Sequence, residues 1–329
     1  MRVLVTGGAG YIGSIAVALL LQKGLQVTVL DDCSSGYSEN IPADVRFING
    51  SILDRDDVLN ALDECTAVLH FAGKSLVEES VQKPELYKRV NVHGAKNLLL
   101  QMRDRNINQL VFSSSAATYG EVKAVPILET SATNPTNPYG STKLQVEELI
   151  SRECVEQSLS AISLRYFNVA GALKIKNSWL FERHDPETHL IPNILKSVPE
   201  NPIKVFGTDW LTHDGTCIRD YVHVVDLVEA HVLALDSLGK PGNKIYNLRM
   251  VRNTLTTINA DDDFGANPVA IGSSNNIISY NQFEDCWALS YDYGYDGGAI
   301  EFFGDTMNNN KILYNTAINC NGFIEIGSN

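Results

Sequence analysis

The most reactive grouping in the 329-residue chain is Tyr139-Gly-Ser-Thr-Lys143. A spacing of four puts Tyr139 and Lys143 on one face of a helix. A free tyrosine titrates near ~10 and is a poor base at neutral pH. A neighbouring ammonium lowers it, and the resulting phenolate takes a proton from an alcohol whose carbon gives up a hydride. Ser115, expected at the end of a strand, reaches the same hydroxyl. Ser115, Tyr139 and Lys143 are therefore the expected catalytic set. A Tyr-x-x-x-Lys spacing also arises by chance on exposed helices, so the reading depends on what positions it. Asn137 is suited to cap that helix and Pro138 to its first turn.

The positioning elements begin at the N-terminus. Arg2–Thr6 is a short apolar run that reads as a strand buried on both faces. Gly7-Gly-Ala-Gly-Tyr-Ile-Gly13 follows, then a helical pattern over 12–23 stopped by Gly24, then a strand over 26–30 ending at Asp31. Gly7 and Gly10 permit a tight turn and close backbone approach to a pyrophosphate. Gly13 lets helix and sheet pack closely, and the helix N-terminus offers free N–H groups. Asp31 suits the adenosine ribose hydroxyls, which favours NAD over NADP. Strands are predicted at 45–48, 67–71, 109–113 and 161–166, and helices at 54–63, 85–105 and 138–157. This alternation predicts an α/β fold, a Rossmann-like doubly wound parallel sheet with ligands at the carboxyl ends of its strands.

Composition narrows the function class. A net charge of −13 argues against a nucleic-acid surface. No apolar run approaches the ~18–20 residues that span a bilayer, so no membrane partner is expected. The six cysteines (33, 65, 154, 217, 286 and 320) form no CxxC pair. Neither zinc nor a disulfide scaffold is expected, and a reducing cytoplasm fits. His70, His93 and His231 read as packing or surface groups. His184 and His189 show no metal-ligand spacing. Asp261-Asp262-Asp263 reads as a solvated linker, not a calcium site.

Longer matches are more specific. TGGAGYIGS (6–14), HFAGKSLVEESVQKP (70–84), NVHG (91–94), FSSSAATYG (112–120), NPYGSTKLQVE (137–147), LRYFNVAGA (164–172), PETHLIP (186–192), a run over 205–232 and IYNL (245–248) resemble the extended short-chain dehydrogenase/reductases. Within these, the resemblance is to the UDP-glucose 4-epimerase family. It implies that Tyr139 takes the proton of a sugar 4-hydroxyl while the C4 hydride passes to tightly held NAD. The 4-keto sugar then turns and takes the hydride back on its other face.

By the same resemblance, Gly7, Gly10, Tyr11, Ile12, Gly13 and Asp31 hold NAD. Ser51, Ile52, Phe71, Ala72, Gly73, Asn91, Ser113, Tyr139 and Lys143 continue that site, with Phe167 near the nicotinamide. Ser115, Asn168, His189, Leu190, Arg219 and Tyr221 contact a UDP-sugar, and a homodimer is the expected assembly. Related 4,6-dehydratases place an Asp-Glu pair directly after the serine or threonine of the fifth strand. Ala116-Ala117 stand there, which favours epimerisation. A Gly-Asp pair usual after the third strand is Gly50-Ser51 here, and the loop over 173–181 matches poorly.

The match stops at residue 248. Residues 1–250 carry 24 cations and 29 anions, whereas residues 251–329 carry 2 cations, 10 anions and 13 of the 28 asparagines. Four segments are expected: a NAD-binding domain over 1–168, a partial substrate lobe with returning sheet elements over 169–249, a linker over 250–264, and a repeat fragment over 265–329. The family's last third supplies an Arg and an Asp to the uridine diphosphate. No Arg follows Arg252, so an incomplete substrate site with impaired activity and an uncovered apolar surface is expected. Residues 275–286 resemble 309–320, and 298–302 resemble 322–326. These Asn- and Gly-punctuated segments read as rungs of a right-handed parallel β-helix with stacked Cys286 and Cys320. Competing readings are another NAD-dependent nucleotide-sugar enzyme, a non-catalytic fusion and a chimeric chain.

Overall fold

The computed structural model describes residues 1–248 apart from 123–126, 177, 185–186, 199–201, 206, 211, 213–214 and 218. Beyond 248 it describes strand segments only. The expected linker over 250–264, Asp261–Asp263, Cys286 and Cys320 lie outside the described residues. The chain divides into two compact units, Met1–Arg249 and Met250–Asn329.

Seven parallel strands form the sheet of the first unit. They are β1 (Arg2–Thr6), β2 (Gln26–Asp31), β3 (Arg46–Asn49), β4 (Ala67–His70), β5 (Gln109–Ser113), β6 (Ser160–Tyr166) and, after four outlying strands, β11 (Gly242–Leu248). Their order across the sheet is β11-β6-β5-β4-β1-β2-β3. Winding reverses between β1 and β4, and a crevice opens there at the carboxyl ends of the strands. Side chains alternate along each strand and build one core on each face. Val3, Val5, Val29, Leu69 and Ile162 pack with helices α1 (Tyr11–Gln22) and α8 (Val224–Asp236). Leu4, Leu30, Val68, Leu110 and Phe112 pack with α2 (Arg55–Ala61), α5 (Gly94–Asp104) and α6 (Pro138–Gln157).

The helix predicted over 85–105 is interrupted. Val77–Gln82 forms α3 and Pro84–Tyr87 forms α4, and a wider turn over Lys88–His93 leads into α5. The widened turn brings Asn91 inward, where its side chain binds Lys74 and Thr142. Two short pairs serve the substrate side. Strand β7 (Asn168–Ala170) runs parallel to β10 (Tyr221–His223), and β8 (Ala172–Ile175) forms a hairpin with β9 (Ser178–Phe181). Helix α7 spans Leu190–Lys196.

In the second unit, residues 277–279 and 282–284 pair in parallel with 311–313 and 316–318, each 34 residues on. Residues 298–303 pair in parallel with 322–327, 24 residues on. An antiparallel hairpin joins 288–290 to 294–296 and lies inside the longer interval only. A hairpin of that size accounts for the different repeat lengths.

One buried ion pair locks α6 to the sheet. Arg165 donates to both oxygens of Glu147, at 2.9 and 2.5 Å, and the two side chains are only 4% and 3% exposed. Breaking such a pair leaves an uncompensated buried charge. Arg165→Met is expected to lower the stability of the first unit by about 3–5 kcal/mol in urea unfolding. Adding Glu147→Leu is expected to recover much of that loss.

Candidate active site

The glycine-rich turn is forced by contact. Gly7 adopts φ +73°, and a Cβ there would lie 2.6 Å from the backbone nitrogen of Ala72. A Cβ on Gly13 would lie 2.1 Å from the carbonyl oxygen of Gly7, so the first turn of α1 rests directly on the strand exit. Gly10 caps α1 without a side-chain hydrogen bond, and no acidic residue occupies the first turn. The N–H groups and positive dipole end therefore face the crevice uncompensated, which suits a pyrophosphate. Ile12 stands in that first turn, and the Tyr11 hydroxyl donates to the carbonyl of Gly171 at 2.7 Å.

Asp31 ends β2 beside this turn. Its carboxylate accepts from the Ala9 N–H at 2.9 Å and the Cys33 N–H at 2.8 Å. Burial raises its pKa, and these backbone donors pull it back. Each oxygen retains acceptor capacity for a ribose hydroxyl. The turn residues and Asp31 therefore fit NAD. At the edge of the crevice, the Ser51 N–H donates to Asp57 at 2.8 Å, and Ile52 is buried.

Phe71-Ala72-Gly73 follows β4 and is strapped in place. The Phe71 N–H donates to the Thr6 carbonyl at 3.0 Å. Asn91 accepts from the Lys74 N–H at 2.8 Å and donates to the Lys74 carbonyl and to Thr142, each at 3.0 Å. Asn91 thus acts by holding the loop against α6. Phe167 is half-buried between β6 and β7.

The catalytic candidates meet where β5 ends. Asn137 accepts from the Gly140 N–H at 2.8 Å and starts α6, with Pro138 in its first turn. Tyr139 and Lys143 then fall on the face turned to β5. Lys143 is buried, and its Nζ donates to the Ser113 carbonyl at 2.7 Å. Burial lowers its pKa to about 8, against the pull of Glu147. Tyr139 is half-buried, with its ring 5.8 Å from the Lys143 ammonium. The lowering expected for its phenol is not seen among the protein's own groups. Burial raises the Tyr139 pKa, and the Ser115 hydroxyl only opposes that shift. The ammonium is turned to a carbonyl rather than to the phenol.

Sequence reasoning missed the groups behind this set. Ser114 donates to Glu147 at 2.5 Å, and Ser113 hydrogen bonds to the hydroxyl of Tyr166. Glu147 carried a readable signal, since it continues the four-residue spacing of Tyr139 and Lys143.

On the substrate side, β7 and β10 set Asn168 directly beside Tyr221. Asn168 donates its side-chain amide to the Asp220 carbonyl at 2.9 Å. The nearby cationic Arg219 opposes the burial that raises the Tyr221 pKa. His189 precedes α7, whose first residue, Leu190, is exposed. The ring of His189 lies 5.0 Å from that of His184. Residues 182–189 draw two histidines and two glutamates together, a grouping that no spacing motif announces. Among the described residues no helix is long and apolar enough to cross a membrane.

Residues 3–248 match the NAD dependent epimerase/dehydratase family. The chain belongs to this family. It is 48% identical over 250 residues to the UDP-glucose 4-epimerase of Corynebacterium glutamicum, covering 75% of each chain. It is 47% identical over 248 residues to that of Streptomyces lividans, covering 74% of this chain and 73% of the relative. Among solved structures, the UDP-glucose 4-epimerase from Brucella ovis in complex with NAD superposes with a TM-score of 0.71 at 41% identity. That match covers 76% of this chain and 78% of the other. The Bifidobacterium longum enzyme in complex with NAD+ and UDP superposes with a TM-score of 0.69 at 34% identity, covering 76% and 78%.

Membership brings NAD to the crevice already described, and the steric demand at Gly13 makes a direct check. Gly13→Ala is expected to destabilise the first unit by about 1–3 kcal/mol through overpacking. It is also expected to strip bound NAD, read as loss of cofactor released on acid denaturation.

Two buried histidines give the family fold an acid sensitivity. His70 shares a hydrogen bond of 2.8 Å with Thr6, and burial lowers its pKa to about 3. His231 packs on Phe71, and burial lowers its pKa to about 4. Unfolding returns both to about 6.5. Below that pH the unfolded chain binds more protons, so their contribution is complete above pH ~6.5 and declines as pH falls toward the folded values. His70→Asn is expected to flatten the decline of the urea midpoint between about pH 6.5 and 4. An unchanged slope would refute the assignment.

Proposed function

We propose that the chain interconverts UDP-glucose and UDP-galactose through a 4-keto sugar. The observation that carries this reading is the convergence of Ser115, Tyr139 and buried Lys143 at the strand end facing the dinucleotide turn. Close relatives named UDP-glucose 4-epimerase support the substrate class. Bound NAD supplies a hydride acceptor that returns the hydride, and a positively charged ring.

The residues do the rest. Tyr139 takes the proton of the 4-hydroxyl, holds it while the sugar is oxidised at C4, and returns it to the carbonyl oxygen on reduction. Ser115 shares a hydrogen bond with the same oxygen and keeps it aligned with the phenol. Lys143 holds positive charge beneath the site. Its lowered pKa leaves most molecules protonated at neutral pH. Asn168, His189, Leu190, Arg219 and Tyr221 hold the nucleotide-sugar, the Arg219 guanidinium suiting a diphosphate.

The family also includes dehydratases. Elimination of the 6-hydroxyl needs an acid and a base beside the serine. Ala116 and Ala117 occupy those positions, and the Ser115 hydroxyl accepts from the Ala117 N–H at 3.1 Å. Epimerisation is the reading these side chains favour.

The test is to purify the chain with its bound NAD and measure interconversion of the two UDP-sugars. Tyr139→Phe is expected to retain NAD and to lose about 10²–10⁴-fold in kcat. Bound NAD without turnover in the unmodified chain would reject the proposed activity and leave the cofactor assignment standing.

A further inference from the structure

We propose that Glu182, His184, Glu187 and His189 form a binding site for one divalent transition-metal ion of the zinc type. The inference does not rest on the catalytic proposal. Each of the four side chains offers a ligand atom, and these atoms lie within 4.8 Å of one another. The set is two imidazole nitrogens and two carboxylate oxygens. Mixed nitrogen and oxygen donors of this kind suit zinc and its first-row neighbours better than magnesium or calcium, which prefer all-oxygen shells.

The distances are already close to a coordination shell. Glu182 Oε1 lies 3.0 Å from His189 Nδ1 and 3.2 Å from His184 Nδ1. Glu187 Oε1 lies 3.0 Å from His189 Nδ1. Bonds of ~2.1 Å set tetrahedral edges at about 3.4 Å. Three edges are thus close to that length, and only the widest must draw in.

A second observation points to a ligand. The Glu187 side chain is 6% exposed, and its Oε1 accepts from the Thr188 and His189 N–H groups, each at 2.9 Å. Its Oε2 is buried without a hydrogen-bond partner, as is His184 Nδ1. The separation of His184 from Glu182 is short enough for a hydrogen bond, but the two groups are not aligned for one. The carboxylate of Glu182 is likewise 8% exposed. An orphaned carboxylate oxygen facing an orphaned imidazole nitrogen is costly in a protein interior. A cation between them satisfies both.

The neighbouring cation does not serve this purpose. Arg183 turns the other way, stacks on Tyr37 at 4.1 Å and donates to Glu39 and Asn40. That anchoring fixes the backbone on which Glu182 and His184 stand. A bound ion would join the exit of β9, through Glu182 and His184, to the entry of α7, through Glu187 and His189. It acts as a clamp on the loop that carries Leu190.

The full chain, stripped with a chelator, is dialysed against low-micromolar Zn²⁺ and its metal content measured. A parallel sample takes Co²⁺ and is read by its visible d–d bands. About one equivalent per chain is expected, with the intense bands of a four-coordinate cobalt site. Glu187→Gln and His184→Gln are each expected to lose the metal and the bands while retaining bound NAD. Content below one-tenth of an equivalent in the unmodified chain overturns the proposal and needs no variant. Undiminished binding in both variants overturns it equally, by placing the metal elsewhere.

Discussion

The carboxylate of Glu147 is the constraint on which the site depends. It is buried beneath α6, where it accepts from Arg165 on β6 and from Ser114 just beyond β5. Three elements are fixed by one group. A carboxylate with both oxygens engaged by charged and hydroxyl donors resists sliding, because each displacement leaves a buried charge unpaired. Lys143 lies one helical turn earlier and Tyr139 two turns earlier on the same face. Their placement over the end of β5 therefore follows from the Glu147 contacts rather than from helix propensity. Lys143 adds its own bond to the Ser113 carbonyl. Ser113, Ser114 and Ser115 are thus held at successive positions by Lys143 and Tyr166, by Glu147, and by the turn through Ala117.

The cofactor side is fixed differently, by backbone contacts that no side chain larger than hydrogen would allow. Gly7 lies against Ala72, and Gly13 lies against Gly7. The turn after β1, the loop after β4 and the start of α1 form one packed layer. Asn91 and Thr6 tie that layer down from beneath. Rigid backbone with free N–H groups is what recognition of a diphosphate requires, since reorganisation on binding would cost affinity.

Most of the first unit was legible in the sequence for simple reasons. Short apolar strands separated by amphipathic stretches leave few alternatives to a parallel sheet. The glycine run with Asp31, and Tyr139 with Lys143, have fixed spacings because the chemistry fixes them. What was not legible depends on tertiary placement. The break after Tyr87 is set by where Asn91 must point. The sign of the Tyr139 shift is set by burial, which spacing does not report. The cluster over 182–189 combines residues two, five and seven positions apart, which matches no regular helix or strand face. In the second unit the repeat was readable as an offset of 34 residues, and the backbone pairs at that offset. The shorter 24-residue interval shows that the hairpin over 288–296 is an insertion into that repeat.

The loop over 182–189 and the dinucleotide turn are linked through a short chain of contacts. The carbonyl of Ala9, in the centre of the glycine turn, accepts from the Tyr37 N–H and from the Asn40 amide, at 3.0 and 3.1 Å. Tyr37 and Asn40 in turn bind Arg183, through the hydroxyl of Tyr37 at 2.8 Å and the carbonyl oxygen of Asn40 at 2.7 Å. Nearby, the Tyr11 hydroxyl holds Gly171 at the start of the hairpin that leads into the same loop. Two routes thus run from the cofactor turn to residues flanking Glu182. Movement of the loop toward a nucleotide-sugar would strain both routes, so the loop is set by the same layer that receives the pyrophosphate. Order in one region therefore favours order in the other, without a contact between the two ligands themselves.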